Sequence, residues 1–161
     1  MLRAATLQLK PTARQRMELD SILALSCDLY NAAIQERRSA WATRRISISY
    51  NDQQKSLTEI RADDLDMRAI SADVMREPLR RVDRAFKAFF RRCRTGEKPG
   101  FPRFRAKERY DSFTFNLPRI QDNTLTVPNL GGLRFKTRRK IVGRARTATV
   151  IRIGKKWKAR I

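Results

Sequence analysis

The 161-residue sequence contains no histidine, two cysteines and only 16 acidic side chains. Without histidine the chain lacks the usual general base, and two isolated cysteines cannot complete a Cys/His zinc site. It also has no glycine-rich phosphate-binding motif and no apolar run long enough to span a bilayer. We therefore expect no catalytic residue, metal site or cofactor within this chain, which by itself should not be an enzyme.

The few acids are unevenly placed. Residues 51–83 hold eight of the sixteen, including the run Asp63–Asp66, which we interpret as a solubilising connector. Cys27 and Cys93 each fall on the apolar side of a predicted helix, so both are expected to be buried thiols. The N-terminal residues Met1–Thr6 lack the apolar core of a secretory signal, which favours a cytoplasmic location.

Basic side chains far outnumber acidic ones in this sequence. The chain has 37 Lys and Arg, giving a net charge of +21, and residues 123–161 contain twelve of these cations and no acid. Such a charge would push the compact state apart unless it met a polyanion. A membrane surface is the alternative polyanion, but the sequence carries no lipidation signal. Nucleic acid is the expected partner, and no membrane association is expected.

The segment Arg76–Arg109 concentrates this chemistry. It places thirteen Lys and Arg against four acids and threads phenylalanines between them, including the pair Phe89-Phe90. Cations neutralise phosphates, and exposed aromatic rings stack on bases. One helical face carries five of these cations: Arg76, Arg80, Arg84, Lys87 and Arg91. A solvated charged face normally mixes both signs, so we favour contact with phosphates for this ridge.

Apolar spacing of three and four residues predicts three helices. They cover about 12–38, 50–60 and 71–92, and the first begins with a capping box formed by Thr12 and Gln15. Pro78 falls inside the third pattern. Either the helix kinks there or its regular part begins at Pro78.

Alternating patterns predict strands elsewhere. A first strand, Leu2–Lys10, precedes the helices, and five follow them: Ser112–Phe115, Thr124–Val127, Leu133–Lys136, Thr147–Ile153 and Lys156–Ile161. The fold class is therefore α+β, a small antiparallel β-barrel with a helical insertion after its first strand. Residues 1–10 and 110–161 would form the barrel domain, and residues 11–109 the inserted helical domain with its basic loop.

Several motifs together resemble one known family. They are Leu9-Lys10-Pro11-Thr12, Tyr30-Asn31, Ala85-Phe86-Lys87-Ala88-Phe89-Phe90-Arg91-Arg92, Gly100-Phe101-Pro102-Arg103-Phe104-Arg105 and Leu133-Arg134. The chain resembles the N-terminal half of TnpB (OrfB), the transposon-encoded RNA-guided nucleases related to type V CRISPR effectors. The resemblance implies a wedge barrel interrupted by a recognition domain. In that family a RuvC-like nuclease domain with three metal-binding carboxylates follows, about where this sequence ends.

The resemblance also implies partners, namely a guide RNA from the transposon end and target DNA beside a short motif. Tyr50, Arg76 and Thr114 fall where family members approach that DNA motif. Beside these, we expect the ridge of Arg80, Arg84, Lys87 and Arg91 to track the DNA backbone. Candidates for RNA or backbone contact are Arg103, Arg105, Lys107, Arg134, Lys136, Arg138, Arg139 and Lys140. Phe101 and Phe104 either stack bases or anchor their loop to the barrel.

Three functional hypotheses follow. The first is a nucleic-acid-binding module that binds guide RNA and target DNA without cleavage. The second is one half of a split RNA-guided endonuclease, completed by a separate RuvC domain. The third is a helix-turn-helix regulator that binds duplex DNA as a dimer. The long loops expected between the helices argue against this third hypothesis.

Overall fold

The computed structural model describes residues 4–161 of the protein. These form seven strands and four α-helices. The strands are β1 (Thr6–Leu9), β2 (Ser112–Asn116), β3 (Arg119–Gln121), β4 (Thr124–Val127), β5 (Gly131–Lys136), β6 (Thr147–Ile153) and β7 (Lys156–Arg160). The helices are α1 (Ala13–Arg44), α2 (Tyr50–Asp63), α3 (Leu65–Ala69) and α4 (Ala72–Thr95). Of the described helices, none has the length and apolar character that crossing a membrane requires.

The strands form one antiparallel sheet in the order β2-β6-β7-β1-β5-β4-β3, which curls into a half-barrel. The strand from the N-terminus lies at its centre, where Leu7 pairs with Ala159 of β7 and Leu9 with Phe135 of β5. The predicted α+β class is confirmed. The predicted first strand included Leu2, which lies outside the described residues.

One hydrophobic core joins the helices to the sheet. Leu19 and Leu23 of α1, Met75 and Leu79 of α4, and Phe113 of β2 are all buried in the same cluster. The N-terminus of α1 is also bonded to the sheet, because the Gln15 side chain donates to the carbonyl of Gly132 at 2.9 Å. The predicted Thr12–Gln15 capping box is present, so one glutamine serves both the cap and the sheet.

The structure refines two local predictions and corrects a third. The acidic run does connect α2 to α3, and in addition the Asp64 carboxylate accepts from the amides of Asp66 and Met67 and caps α3. The α4 helix begins at Ala72, so Pro78 lies in its interior and does not start it. Cys27 is buried, but Cys93 is exposed.

The sequence patterns also missed strand β3 and misjudged the loops. The turn between β3 and β4 is made by Asp122 and Asn123, whose φ angles of 50° and 56° suit a tight hairpin turn. Strand β3 has three residues, which is too short to show alternation. The loops between helices are short, with residues 45–49 joining α1 to α2, so loop length does not argue against a helix-turn-helix.

Changing Gly132 to alanine should destabilise the sheet. A Cβ at this position would lie 2.6 Å from the Cγ2 of Thr124 on the neighbouring strand, so we expect Gly132→Ala to lower the free energy of unfolding by about 1–3 kcal/mol. Urea denaturation measures this change. Adding Thr124→Ser removes the clashing methyl group and should restore most of the loss.

Gly100→Ala is the matched control, because a Cβ there meets no atom of residues 4–161 within 4 Å. Its stability should be unchanged or slightly higher, since alanine has less freedom in the unfolded chain. Equal effects of the two substitutions would contradict the close approach of β4 and β5.

Candidate nucleic-acid interface

A buried acid holds the middle of the predicted ridge on α4. The Glu77 side chain is 11% exposed, and its carboxylate lies 2.8 Å from the Nη2 of Arg84 and 3.6 Å from the Nη1 of Arg80. Arg81 adds a third contact at 3.7 Å. Some cations of the ridge therefore neutralise an acid of their own helix, which the charge pattern alone did not reveal.

Asp83 has the same role about two turns further along the helix. Its carboxylate accepts from the Nζ of Lys87 at 2.9 Å and the Nη2 of Arg37 at 3.3 Å. Burial raises the pKa of Asp83 because it disfavours the charged carboxylate. The hydrogen bonds lower that pKa by more, so it lies below its usual value. Arg37 also donates to Gln53 and lies 5.1 Å from the centre of the Phe86 ring.

Other cations of this helix are uncompensated. Arg76 and Arg91 are exposed, and within residues 4–161 neither forms an ion pair with a carboxylate. A cation without an acidic partner keeps its full attraction for a phosphate. The ridge thus consists of two kinds of position, paired at its centre and free at Arg76 and Arg91.

Helix α4 is tied to strand β2 at two points. The Asp73 carboxylate accepts from the backbone amide and the side chain of Asn116, at 2.6 and 2.8 Å. Arg81 donates to the carbonyl and the hydroxyl of Ser112, at 3.0 and 3.1 Å. We call this line of contact the α4–β2 seam, which spans residues 73–81 of the helix and residues 112–116 of the strand.

The structure brings two of the predicted DNA-motif residues to this seam. Arg76 lies between the two tie points on the helix, and Thr114 lies between them on the strand, where its hydroxyl shares a hydrogen bond of 2.9 Å with Thr149. Tyr50 lies elsewhere, in the first turn of α2, where its hydroxyl accepts from Gln54. The seam contains Arg76 and Thr114 but not Tyr50.

The loop after α4 is held by Asn31 of α1. The Asn31 side chain accepts from the Arg105 amide and donates to the Arg105 carbonyl, both at 2.9 Å. The Cys27 thiol donates to the same carbonyl at 3.4 Å, and its burial raises the pKa of that thiol. The Tyr30-Asn31 motif therefore has a structural role in positioning the basic loop.

The predicted cations of this loop differ in their surroundings. The Arg105 guanidinium lies 5.3 Å from the centre of the Tyr30 ring, and the Nζ of Lys107 lies 3.6 Å from Asp28. Arg103 is exposed and forms no ion pair within residues 4–161. Arg103 is the most available of the three to a phosphate.

Phe101 packs on α4, whereas the anchoring interpretation expected its loop to be held on the barrel. Its ring centre lies 5.5 Å from that of Phe86 and 5.2 Å from that of Phe89, in edge-to-face geometry. Such pairs are among the favoured arrangements of aromatic rings. Phe101 nevertheless remains 42% exposed and Phe104 46% exposed, so both rings present surface to a ligand.

A second basic surface covers the outer face of the sheet. Gln8 pairs with Lys136 on one side and Lys158 on the other, which places two cations in one row across three strands. Arg134 and Lys136 alternate with the buried residues Leu133 and Phe135, so both project outward.

The loop after β5 extends this surface. It carries Arg138, Arg139 and Lys140, all exposed, and borders a cavity of about 780 Å³. Four cations and one acid line that cavity: Arg119, Arg139, Lys140, Arg144 and Asp122. The predicted RNA-contact residues from Arg134 to Lys140 therefore lie on one connected region of the sheet and its loop.

The chain is similar to a known protein along almost its whole length, although no family model matches it. Over 97% of its length it is 24% identical to the Escherichia coli (strain K12) protein named "Putative RNA-guided DNA endonuclease InsQ". The predicted resemblance to the TnpB family is confirmed. The matched region is 39% of the InsQ length, so the chain spans well under half of that relative.

The fold has a counterpart among solved structures. The Cas12f1 chain in the cryo-EM structure of a Cas12f1–sgRNA–target DNA complex matches 99% of this chain with a TM-score of 0.50 and 11% identity. At that identity the likeness concerns the fold alone. This chain covers 48% of the Cas12f1 chain. Among residues 4–161, no three acidic or cysteine side chains come together as a possible metal site.

Removing the Asn31 side chain should release the basic loop. Asn31→Ala deletes both hydrogen bonds to Arg105, and we expect local protection to fall by about 1–3 kcal/mol. Hydrogen exchange at the Arg105 amide measures this loss directly, and tryptic cleavage after Arg103 should become faster. Gln35→Ala is the control, since Gln35 on the same helix bonds only to Ser39 within the described residues. Unchanged exchange at Arg105 would contradict the anchoring role.

Proposed function

We propose that this chain is a nucleic-acid-binding module that binds guide RNA and target DNA beside a short DNA motif, and does not cleave DNA itself. The observation that carries this proposal is the separation of charge within the fold. Buried carboxylates of α4 face inward, while free cations occupy two exposed surfaces. A surface with this arrangement favours a polyanion over a partner of mixed charge.

The two surfaces suit different ligands. We assign the α4–β2 seam and the adjoining ridge to target DNA, because Arg76 and Thr114 both fall between its tie points and Arg91 is free for the backbone. We assign the outer face of the sheet and the loop 137–146 to guide RNA, since structured RNA is bound largely through its shape and phosphates. In this proposal residues 1–10 and 110–161 act as the wedge domain and residues 11–109 as the recognition domain.

The relatives support the same assignment. InsQ is named as an RNA-guided DNA endonuclease, and Cas12f1 was solved with a single guide RNA and target DNA. This chain would supply the binding component of such an activity in the cytoplasm, at the nucleoid. The second candidate is one half of a split RNA-guided DNA endonuclease that a separate RuvC domain completes, supported by the endonuclease name of InsQ.

The direct test is to purify the chain from its host without nuclease treatment and to sequence the nucleic acid that accompanies it. One structured RNA that maps to a transposon end is the expected result. A mixture of unrelated RNA and DNA would mean that the charge of +21 acts nonspecifically and would overturn the proposal. Adding a separately expressed RuvC domain and assaying target cleavage separates the binding module from the split nuclease. Tight binding to a palindromic duplex without RNA would instead support the helix-turn-helix hypothesis.

Free and paired cations of α4 should differ in their effect on DNA binding. For a double variant, Arg76→Gln with Arg91→Gln, the slope of log affinity against log salt should flatten by about 0.9 for each lost phosphate contact. Arg84→Gln should change the slope less, because that guanidinium already lies 2.8 Å from Glu77. Fluorescence anisotropy across a salt series measures both slopes.

Arg16→Gln with Lys55→Gln is the charge-matched control. Both side chains are exposed, on α1 and α2, and neither forms an ion pair within residues 4–161. An equal flattening by this control pair would show that binding depends on net charge and not on the ridge.

A further inference from the structure

A strip of three neighbouring cavities runs along the C-terminal half of α4 to the basic loop. Their volumes are about 480, 510 and 660 Å³. Phe90 borders the first and second cavities, and Phe101 and Arg38 border the second and third. We call this continuous surface the aromatic strip.

Every charged residue that lines the strip is basic. These residues are Arg37, Arg38, Arg84, Lys87, Arg91, Arg94, Lys98 and Arg103. Among the described residues no acid lines any of the three cavities. Three of these basic residues are already paired, Arg37 and Lys87 with Asp83 and Arg84 with Glu77, whereas the other five form no ion pair within residues 4–161. Free positive charge is therefore present in all three cavities, which suits a polyanion backbone.

Large apolar rings lie exposed between these cations. Trp41 is 53% exposed, Phe90 51%, Phe101 42% and Phe104 46%. A contiguous group of exposed aromatic side chains marks a binding surface more often than isolated apolar residues do. Aromatic rings alternating with cations are the arrangement found where proteins bind single-stranded nucleic acid.

The contacts of Arg38 show which kind of group the Phe101 and Phe104 rings bind. Its guanidinium lies 5.3 Å from the centre of the Phe101 ring and 5.4 Å from that of Phe104. A flat, delocalised group is thus already held against both rings, and a nucleobase has the same planar shape. A base can stack on these rings or on the guanidinium itself.

We propose that the aromatic strip binds an unpaired stretch of nucleic acid, with bases stacked on Phe90, Phe101 and Trp41 and phosphates bound by the flanking arginines. This inference rests on the proposed nucleic-acid binding and adds the form of the ligand. Duplex bases are stacked on one another and cannot offer their faces, so the strip selects single strands. An apolar peptide would leave the cations without partners.

Trp41 provides the signal for a test. The chain has two tryptophans, and the other, Trp157, is 4% exposed within the sheet. The probes are a thymidine 12-mer and an abasic 12-mer of equal charge. We expect the thymidine 12-mer to quench tryptophan fluorescence and to bind about tenfold or more tightly than the abasic one. The quenching should disappear in Trp41→Phe.

A second variant tests the stacking ring directly. Phe90→Leu keeps an apolar side chain at an exposed position, so the fold should be retained. It should weaken binding of the thymidine 12-mer about fivefold and leave the abasic 12-mer unaffected. Leu65→Ala, at an exposed position on α3 outside the strip, should change neither affinity.

The outcomes separate this inference from the proposed function. Equal affinity for both 12-mers without quenching would overturn stacking but leave nucleic-acid binding in place. Equal quenching by a 12-bp duplex, or by a glutamate 12-mer, would also overturn it, in favour of a duplex or an acidic peptide. Failure of every oligonucleotide to bind would overturn both proposals.

Discussion

The arrangement of the helices on the sheet depends on the contacts of the Arg81 side chain. Its guanidinium contacts the buried Glu77 of α4, donates twice to Ser112 of β2, and lies 5.1 Å from the centre of the Tyr110 ring. Burial raises the pKa of Tyr110 to about 12, so that phenol remains neutral beside the cation at physiological pH. A charge that is only 16% exposed is stable here because an acid and two oxygens surround it.

This junction also decides which charges the protein presents. A chain of net charge +21 has few acids, and the fold places two of them, Glu77 and Asp83, beneath the cations of α4. The Asp73 carboxylate accepts a hydrogen bond from Asn116 at the other end of the seam. Glu77 and Asp83 neutralise the centre of the ridge and leave free positive charge at Arg76 and Arg91. The same contacts that stabilise α4 therefore decide where along it a phosphate can bind.

The position of the basic loop follows from a separate set of contacts. Asn31 fixes the Arg105 backbone, and Phe101 packs against Phe86 and Phe89. A loop held at both points is preorganised, so a bound strand would not have to order it. Arg103 then remains free between two anchors, next to the aromatic strip. These contacts give the exposed cations of the Gly-Phe-Pro-Arg-Phe motif a rigid support.

The sequence by itself determined the features that depend on residues close together in the chain. The charge, the start of α1 at its capping box and the alternation of β4 to β7 are local properties, because their hydrogen bonds and periods lie within a few residues. The pairing of Arg84 with Glu77 is also local, because the two residues lie seven positions apart on one helix. The tertiary structure alone decided that Asp83 also pairs with Arg37 of α1, 46 residues away in the sequence. It also decided that Asn31 positions Arg105, since that contact crosses 74 residues and is not encoded in any local pattern.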